Sequence, residues 1–225
     1  MAKELNVSSV TIRSDLKNLE SEGLLRRAHG GAQASYHPYI AERLNNNLDA
    51  KQRIAKAAAA MVKDGDTIMV GAGTTTSMIV KYLVGKRDVN IVTNSLLVMP
   101  HARINPTLHV TLVGGEFRPN TESLVGPVAI RELQEFHVNL SFVGTDGFTI
   151  ETGMTTHLVE GAEIVKCIAR QSTRTILITD SSKFGRAGFV KILPMNGVDE
   201  MICDDTLPQS VAADLRSLGL KVQLV

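Results

Sequence analysis

Cysteine is scarce in this chain. Cys167 and Cys203 are the only two in 225 residues. That is too few for the disulfide framework of a small secreted domain, and both are expected to be reduced thiols that behave as small apolar residues. Histidine is present but scattered. Residues 29, 37, 101, 109, 137 and 157 show no His-Glu-x-x-His spacing and no Cys/His cluster, so no metal site is expected. No stretch is apolar for the ~20 residues that a membrane-spanning helix needs. No basic leader precedes an apolar run, and the expected location is cytoplasmic, with no membrane partner. A surplus of charge of one sign is missing as well. The 24 Lys/Arg stand against 23 Asp/Glu, so any claim of nucleic-acid binding must rest on where charges sit, not on their sum. Internal repeats and low-complexity tracts are also absent.

The chain does carry enough apolar residues, 44%, to bury a core. Three regions differ in texture. Residues 1–32 are short, polar and helix-rich, and end in His29-Gly30-Gly31. Residues 33–50 lack an apolar period, carry Pro38 and three asparagines at 45–47, and read as a linker with room for a short helix. Residues 51–225 begin with a helix marked by Ile54, Ala57, Ala58 and Met61, which Asp64-Gly65-Asp66 terminates. Apolar, largely β-branched runs then follow at 67–70, 89–93, 108–113, 140–143, 175–179, 200–203 and 221–225. Helical periods fill 76–83, 96–103, 127–136, 162–171 and 209–218. Such alternation predicts an α/β domain with a mainly parallel sheet. The strand runs are apolar at nearly every position, as strands covered on both faces require.

In the first region Ser8 is placed to cap a helix over about 9–22, with Gly23 just past its end. Ile12, Leu16 and Leu19 form one stripe, expected to pack inward. The other face carries Ser9, Arg13 and Lys17, with Thr11 and Ser14 alongside, residue types that suit base edges and phosphates in a major groove. Residues 24–28 read as a strand and Gly30-Gly31 as a hairpin tip, with Arg26 and Arg27 able to touch phosphate or minor groove.

The run Leu5-Asn6-Val7-Ser8, Thr11-Ile12-Arg13-Ser14-Asp15-Leu16, Leu19-Glu20, Gly23, Leu25-Arg26-Arg27, His29-Gly30-Gly31-Ala32 resembles the DNA-binding segment of the DeoR family of bacterial regulators. Later pieces are similar to the sensor domain of that family: Gly73-Thr74-Thr75-Thr76, Thr93-Asn94-Ser95-Leu96, Gly114-Gly115, Gly144-Thr145-Asp146-Gly147 and Asp180-Ser181-Ser182-Lys183-Phe184-Gly185. The resemblance implies a partial winged helix-turn-helix, a linker, and a sensor related in fold to ribose-5-phosphate isomerase. It implies a homo-oligomer, dimer or tetramer, that binds operator DNA and is released by a phosphorylated sugar or polyol. The family's winged domain starts some two dozen residues earlier, so operator binding is expected once that first helix is supplied. Three positions depart from the family pattern. Gly71 stands where an acidic residue is usual, Leu158 where an Asn is, and Val165 where a Lys is, which implies a ligand unlike the family's typical one.

The loop Gly71–Thr76 follows a buried strand and opens a helix. Its glycines admit an anion, and helix-start N–H groups with threonine hydroxyls can cradle phosphate without a lysine. Four more polar loops follow strands, and in an open parallel sheet such loops converge on the ligand crevice. The effector candidates are Gly73, Thr74, Thr75, Thr76, Asn94, Ser95, Gly114, Gly115, Asp146 for sugar hydroxyls and Lys183 as phosphate counter-charge. Arg118, Glu122 and Glu160 rank second. Two other functions remain in view. One is a sugar-phosphate isomerase, although the Asp-Gly-Ala-Asp-Glu and Lys-Gly-Gly-Gly-Gly stretches of that enzyme are not present. The other is a sensor domain without DNA binding. No cofactor and no catalytic residue are expected.

Overall fold

The computed structural model describes residues 2, 5–21, 25–28, 31–34 and 36–225, and of 26–28, 31, 33 and 34 the backbone alone. Gly23 and the tip residues His29 and Gly30 lie outside the described residues. The chain divides into two compact units, Met1–Asn46 and Asn47–Val225.

In the first unit, helix α1 spans Ser9–Ser21. Ser8 caps it: the Ser8 Oγ accepts from the Thr11 N–H at 3.0 Å, which satisfies a donor that the first helical turn leaves unpaired. Strands β1 (Leu25–Ala28) and β2 (Gly31–Ala34) pair antiparallel, with Arg26 opposite Gln33 and Arg27 opposite Ala32. Helix α2, Pro38–Asn45, starts on a proline, where a missing N–H costs nothing. The stretch read as a linker, 33–50, thus holds the end of β2, all of α2 and the first turn of the next helix.

The second unit opens with helix α3 (Leu48–Ala60), strand β3 (Thr67–Val70), α4 (Thr74–Lys81), β4 (Val89–Thr93), α5 (Met99–Ala102) and β5 (Leu108–Leu112). A hairpin of β6 (Glu116–Arg118) and β7 (Ser123–Val125) follows, then α6 (Pro127–Gln134), β8 (Val138–Val143), β9 (Gly147–Thr149) and β10 (Gly153–Thr156). Helix α7 (Val159–Arg170), β11 (Ser172–Ile178), β12 (Val190–Lys191), β13 (Glu200–Cys203), α8 (Gln209–Ser217) and β14 (Lys221–Leu224) complete it.

Seven strands form one sheet in the order β14-β13-β11-β8-β3-β4-β5, and every neighbouring pair in it is parallel. All seven predicted strands are its members. The sheet is covered on both faces. Ile68, Val70, Ile91, Phe142 and Ile176 pack on one side with Ile54, Ala58, Ile79 and Val80 of α3 and α4. Met69, Val92, Val143, Leu177 and Met201 pack on the other with Leu133, Ile164, Ile168 and Leu215 of α6, α7 and α8. Successive strand residues thus serve opposite cores, the two-sided burial that continuous apolar runs require. Two smaller sheets, β12-β10-β9 and β6-β7, are antiparallel.

Candidate functional site

Because all seven strands point the same way, the loops after β3, β4, β5, β8 and β11 emerge at one edge of the sheet. The chain runs outward from β3 through β4 and β5 on one side, and from β8 through β11, β13 and β14 on the other. The β3/β8 boundary is therefore the topological switch point, where an open parallel sheet leaves a crevice. The Gly71–Thr76 and Gly144–Gly147 loops flank it.

The first of these loops is shaped by close contacts. The Gly71 N–H donates to the Phe142 carbonyl at 2.9 Å, extending the β3/β8 ladder by one residue. A side chain here would begin 3.3 Å from Ile168 Cδ1 and 3.4 Å from the Phe142 oxygen, so an acid could enter only if the Ile168 side chain gave by a few tenths of an ångström. At Gly73 a Cβ would stand 2.9 Å from Thr76 Oγ1, which itself donates to the Gly73 carbonyl at 3.0 Å. Thr74 and Thr76 are buried and Thr75 is half-buried. The first N–H groups of α4 have no acceptor inside the helix, and with the helix dipole they favour an anion.

Asn94, after β4, is buried and spans two elements. Its Oδ1 accepts from the Ala72 N–H at 3.0 Å, and its Nδ2 donates to the Leu124 carbonyl at 3.0 Å. It joins the glycine loop to the β6-β7 hairpin, so its amide is committed to the protein. The Ser95 N–H donates to Thr93 Oγ1 at 3.1 Å, whereas its own hydroxyl is fully buried with no partner. After β5, the Gly114 N–H is taken by Glu132 Oε2 at 2.6 Å. At Gly115, with φ +138°, a Cβ would fall 2.6 Å from the Val125 carbonyl. These two glycines close the start of the hairpin against α6 and β7.

Asp146 follows β8. Its Oδ2 accepts from Thr156 Oγ1 at 2.7 Å and from the His157 N–H at 3.2 Å. It is a fixed acceptor at the crevice. Beside it Thr145 Oγ1 lies 2.7 Å from the Gly147 carbonyl and 2.8 Å from that of Thr155. Lys183 ends the loop after β11. Among the described residues no carboxylate pairs with its half-exposed ammonium. Arg118 lies on the hairpin, and its guanidinium bonds Glu160 at 2.6 Å and Glu116 at 2.9 Å. The bond to Glu160, with the charge of Glu116, raises the Arg118 pKa. The Glu160 carboxyl is held below its usual range, first by its own backbone N–H and then by Arg118.

Two further carboxylates stand at this edge: Asp180, which the sequence places in a polar loop without naming it as a candidate, and Asp204, which it does not single out. Asp180 is buried and accepts from Asn47 Nδ2 at 2.9 Å and from the Ser182 N–H at 3.2 Å. Asp204, after β13, is also buried. It accepts from the Ser181 N–H at 2.6 Å and the Ser181 hydroxyl at 2.8 Å, and from the Thr206 hydroxyl. Burial acts to raise its pKa, but these bonds prevail and hold it below the ordinary 3.8. The signal was present: Asp204 follows an apolar strand at the same sheet edge.

In the first unit, Ser9, Thr11, Arg13, Ser14 and Lys17 are all exposed along α1. The opposite stripe is buried less than expected. Ile12 and Leu16 are half-buried, and Leu19 is 37% exposed, because the stripe meets little cover within this unit. The side chains of Arg26 and Arg27 lie outside the described residues.

Family comparison agrees with both units. The DeoR C-terminal sensor domain family matches residues 46–205, and the DeoR-like helix-turn-helix domain matches residues 1–36. The chain belongs to the DeoR family of transcriptional regulators. It is 32% identical to a protein of Escherichia coli O157:H7 named for repression of the aga operon, across 97% of this chain and 84% of that protein. It is 34% identical to the lactose phosphotransferase system repressor of Lactococcus lactis, across 91% of this chain and 82% of that one. Among solved structures, ribose 5-phosphate isomerase A from Methanocaldococcus jannaschii is similar at a TM-score of 0.46 and 20% identity, over 62% of this chain and 55% of that one. No helix among the described residues is long and apolar enough to cross a membrane.

Proposed function

We propose that this DeoR-family regulator represses a carbohydrate-utilisation operon and is released from operator DNA by a phosphorylated sugar or polyol held at the carboxyl edge of its parallel sheet. The observation that carries this reading is Lys183, a lysine without an ion-pair partner on the same sheet edge as the unpaired N–H groups of α4. Two sources of positive potential, neither taken up by an ion pair among the described residues, suit a phosphate. Asp146, fixed by Thr156 and His157, suits sugar hydroxyls. The names of the aga operon and lactose system relatives fit a carbohydrate role.

DNA contact falls to α1, whose Ser9, Thr11, Arg13 and Lys17 present hydroxyls and cations to solvent, assisted by Arg26 and Arg27. Release follows from linkage: a ligand that prefers the DNA-free state must lower operator affinity by the factor that operator lowers ligand affinity. The protein acts by binding, as a homo-oligomer, and turns over no substrate.

A thermal-shift screen of phosphorylated sugars and polyols, with the unphosphorylated sugars as controls, tests this reading. A ligand that binds only the folded state must raise its melting temperature. Stabilisation that requires the phosphate is expected. Equal stabilisation by the bare sugars would overturn the phosphate assignment.

A further inference from the structure

Where the backbone after β4 meets the turn of the β6-β7 hairpin, each segment carries a polar side chain that the protein itself leaves unsatisfied. One is the Ser95 hydroxyl, fully buried with no donor or acceptor in reach. The other is the Glu122 carboxylate, half-buried and, among the described residues, without a hydrogen bond or ion pair. The backbone sets them side by side. Ser95 pairs with Ser123 in an isolated antiparallel bridge, and the Leu96 N–H donates to the Glu122 carbonyl at 2.9 Å. The neighbouring hydroxyls are no help, because Thr121 and Ser123 bond each other at 2.8 Å.

A buried hydroxyl without a partner costs folding free energy, and a carboxylate drawn from water without a cation costs more. Burial alone raises the Glu122 pKa, with no charged neighbour contributing. Native proteins retain few such groups, and those they keep call for an explanation. Both stand where the site is assembled. Ser95 follows β4 at the carboxyl edge, one residue past Asn94, which holds the glycine loop through Ala72.

We propose that Glu122 and Ser95 recognise the end of the effector remote from its phosphate, taking hydrogen bonds from ligand hydroxyls or from a ligand ammonium. The proposal rests on the phosphosugar reading above and adds the residues that select the sugar. A carboxylate only accepts, so the ligand must present donors there. The negative charge of Glu122 also places the phosphate elsewhere, toward Lys183 and α4.

The test uses the full chain and two substitutions, Glu122→Gln and Ser95→Ala. Binding of inorganic phosphate, fructose 6-phosphate and glucosamine 6-phosphate is measured by calorimetry, and the melting temperature of each free protein is recorded. Glu122→Gln should weaken the sugar phosphate that binds wild type by about tenfold or more and leave inorganic phosphate unchanged. Ser95→Ala should weaken the same ligand while leaving the free protein as stable or more so, because it deletes an unsatisfied group. A purely structural Ser95 would do the reverse, lowering the melting temperature alone. Sugar-phosphate affinity unchanged in both variants would overturn this proposal and spare the parent reading. A wild type that binds neither sugar phosphate would overturn both.

Discussion

The side-chain oxygen of Asn94 holds the backbone N–H of Ala72 at 3.0 Å. One buried amide thereby fixes the approach to the glycine loop from the end of the neighbouring strand, and its nitrogen ties the same point to Leu124. Asn94→Ala would strand the Ala72 N–H and the Leu124 carbonyl. We expect a loss of ~2–4 kcal/mol in stability, seen in urea denaturation, and weaker effector binding. Asn94→Asp should retain the Ala72 bond, but it would set a buried carboxylate against the Leu124 carbonyl, so it should be at least as destabilising as Asn94→Ala.

Lys183→Ala should abolish the response to the effector while operator affinity stays intact, as measured by gel shift with increasing ligand. A charge-assisted contact of this kind contributes ~1.5–3 kcal/mol. An unchanged response at the same ligand concentration would remove Lys183 from the phosphate site.

Arg13→Ala on the exposed face of α1 should weaken operator binding by ~1–3 kcal/mol and leave ligand-induced thermal stabilisation as in wild type. Equal loss of both would point to a folding defect.

Acid should reach Asp204 late. Its carboxyl lies below the ordinary 3.8 in the folded chain, so the folded state binds fewer protons than the unfolded one. The resulting stability is fully present above the unfolded value and is lost as pH falls through the folded one. Asp204→Asn should therefore be destabilised at neutral pH, and its deficit should shrink as pH drops below about 3.8. A deficit constant across that range would refute the assignment.

Both cysteines should resist alkylation. Cys167 and Cys203 are buried, and burial raises both thiol pKa values. The thiolate is the nucleophile, so iodoacetamide should label them only after denaturation. Rapid labelling of the native chain would mean that the core opens.

The large sheet was legible because burial on both faces leaves an unmistakable trace. Ile68-Met69-Val70 serves two cores at once and admits no polar residue. The small sheets left no such trace. Glu116 and Phe117 in β6 are exposed, and β12 is two residues long, too short for any period. Their partners are set by backbone contact: a Cβ at Gly188 would stand 2.6 Å from Thr156 backbone, and one at Gly147 only 2.4 Å from the Arg186 carbonyl. The site was half legible. Polar residues after apolar runs announced the edge of the sheet. Whether each would face a ligand or the protein depended on partners distant in sequence. Glu132 takes Gly114 from another helix, and nothing in a Gly-Gly pair foretells it. Leu19 looked like core because periodicity reports which face is apolar and not whether anything covers it.

The β3/β8 boundary carries one more consequence. Thr67 and Asn139, whose side chains meet there, are 72 positions apart, and the two walls of the crevice come from opposite halves of the domain. A ribosome-bound chain that ends before β8 has its glycine loop but no opposite wall. The crevice is thus a property of the finished domain, and on the proposed reading a nascent one would not capture metabolite.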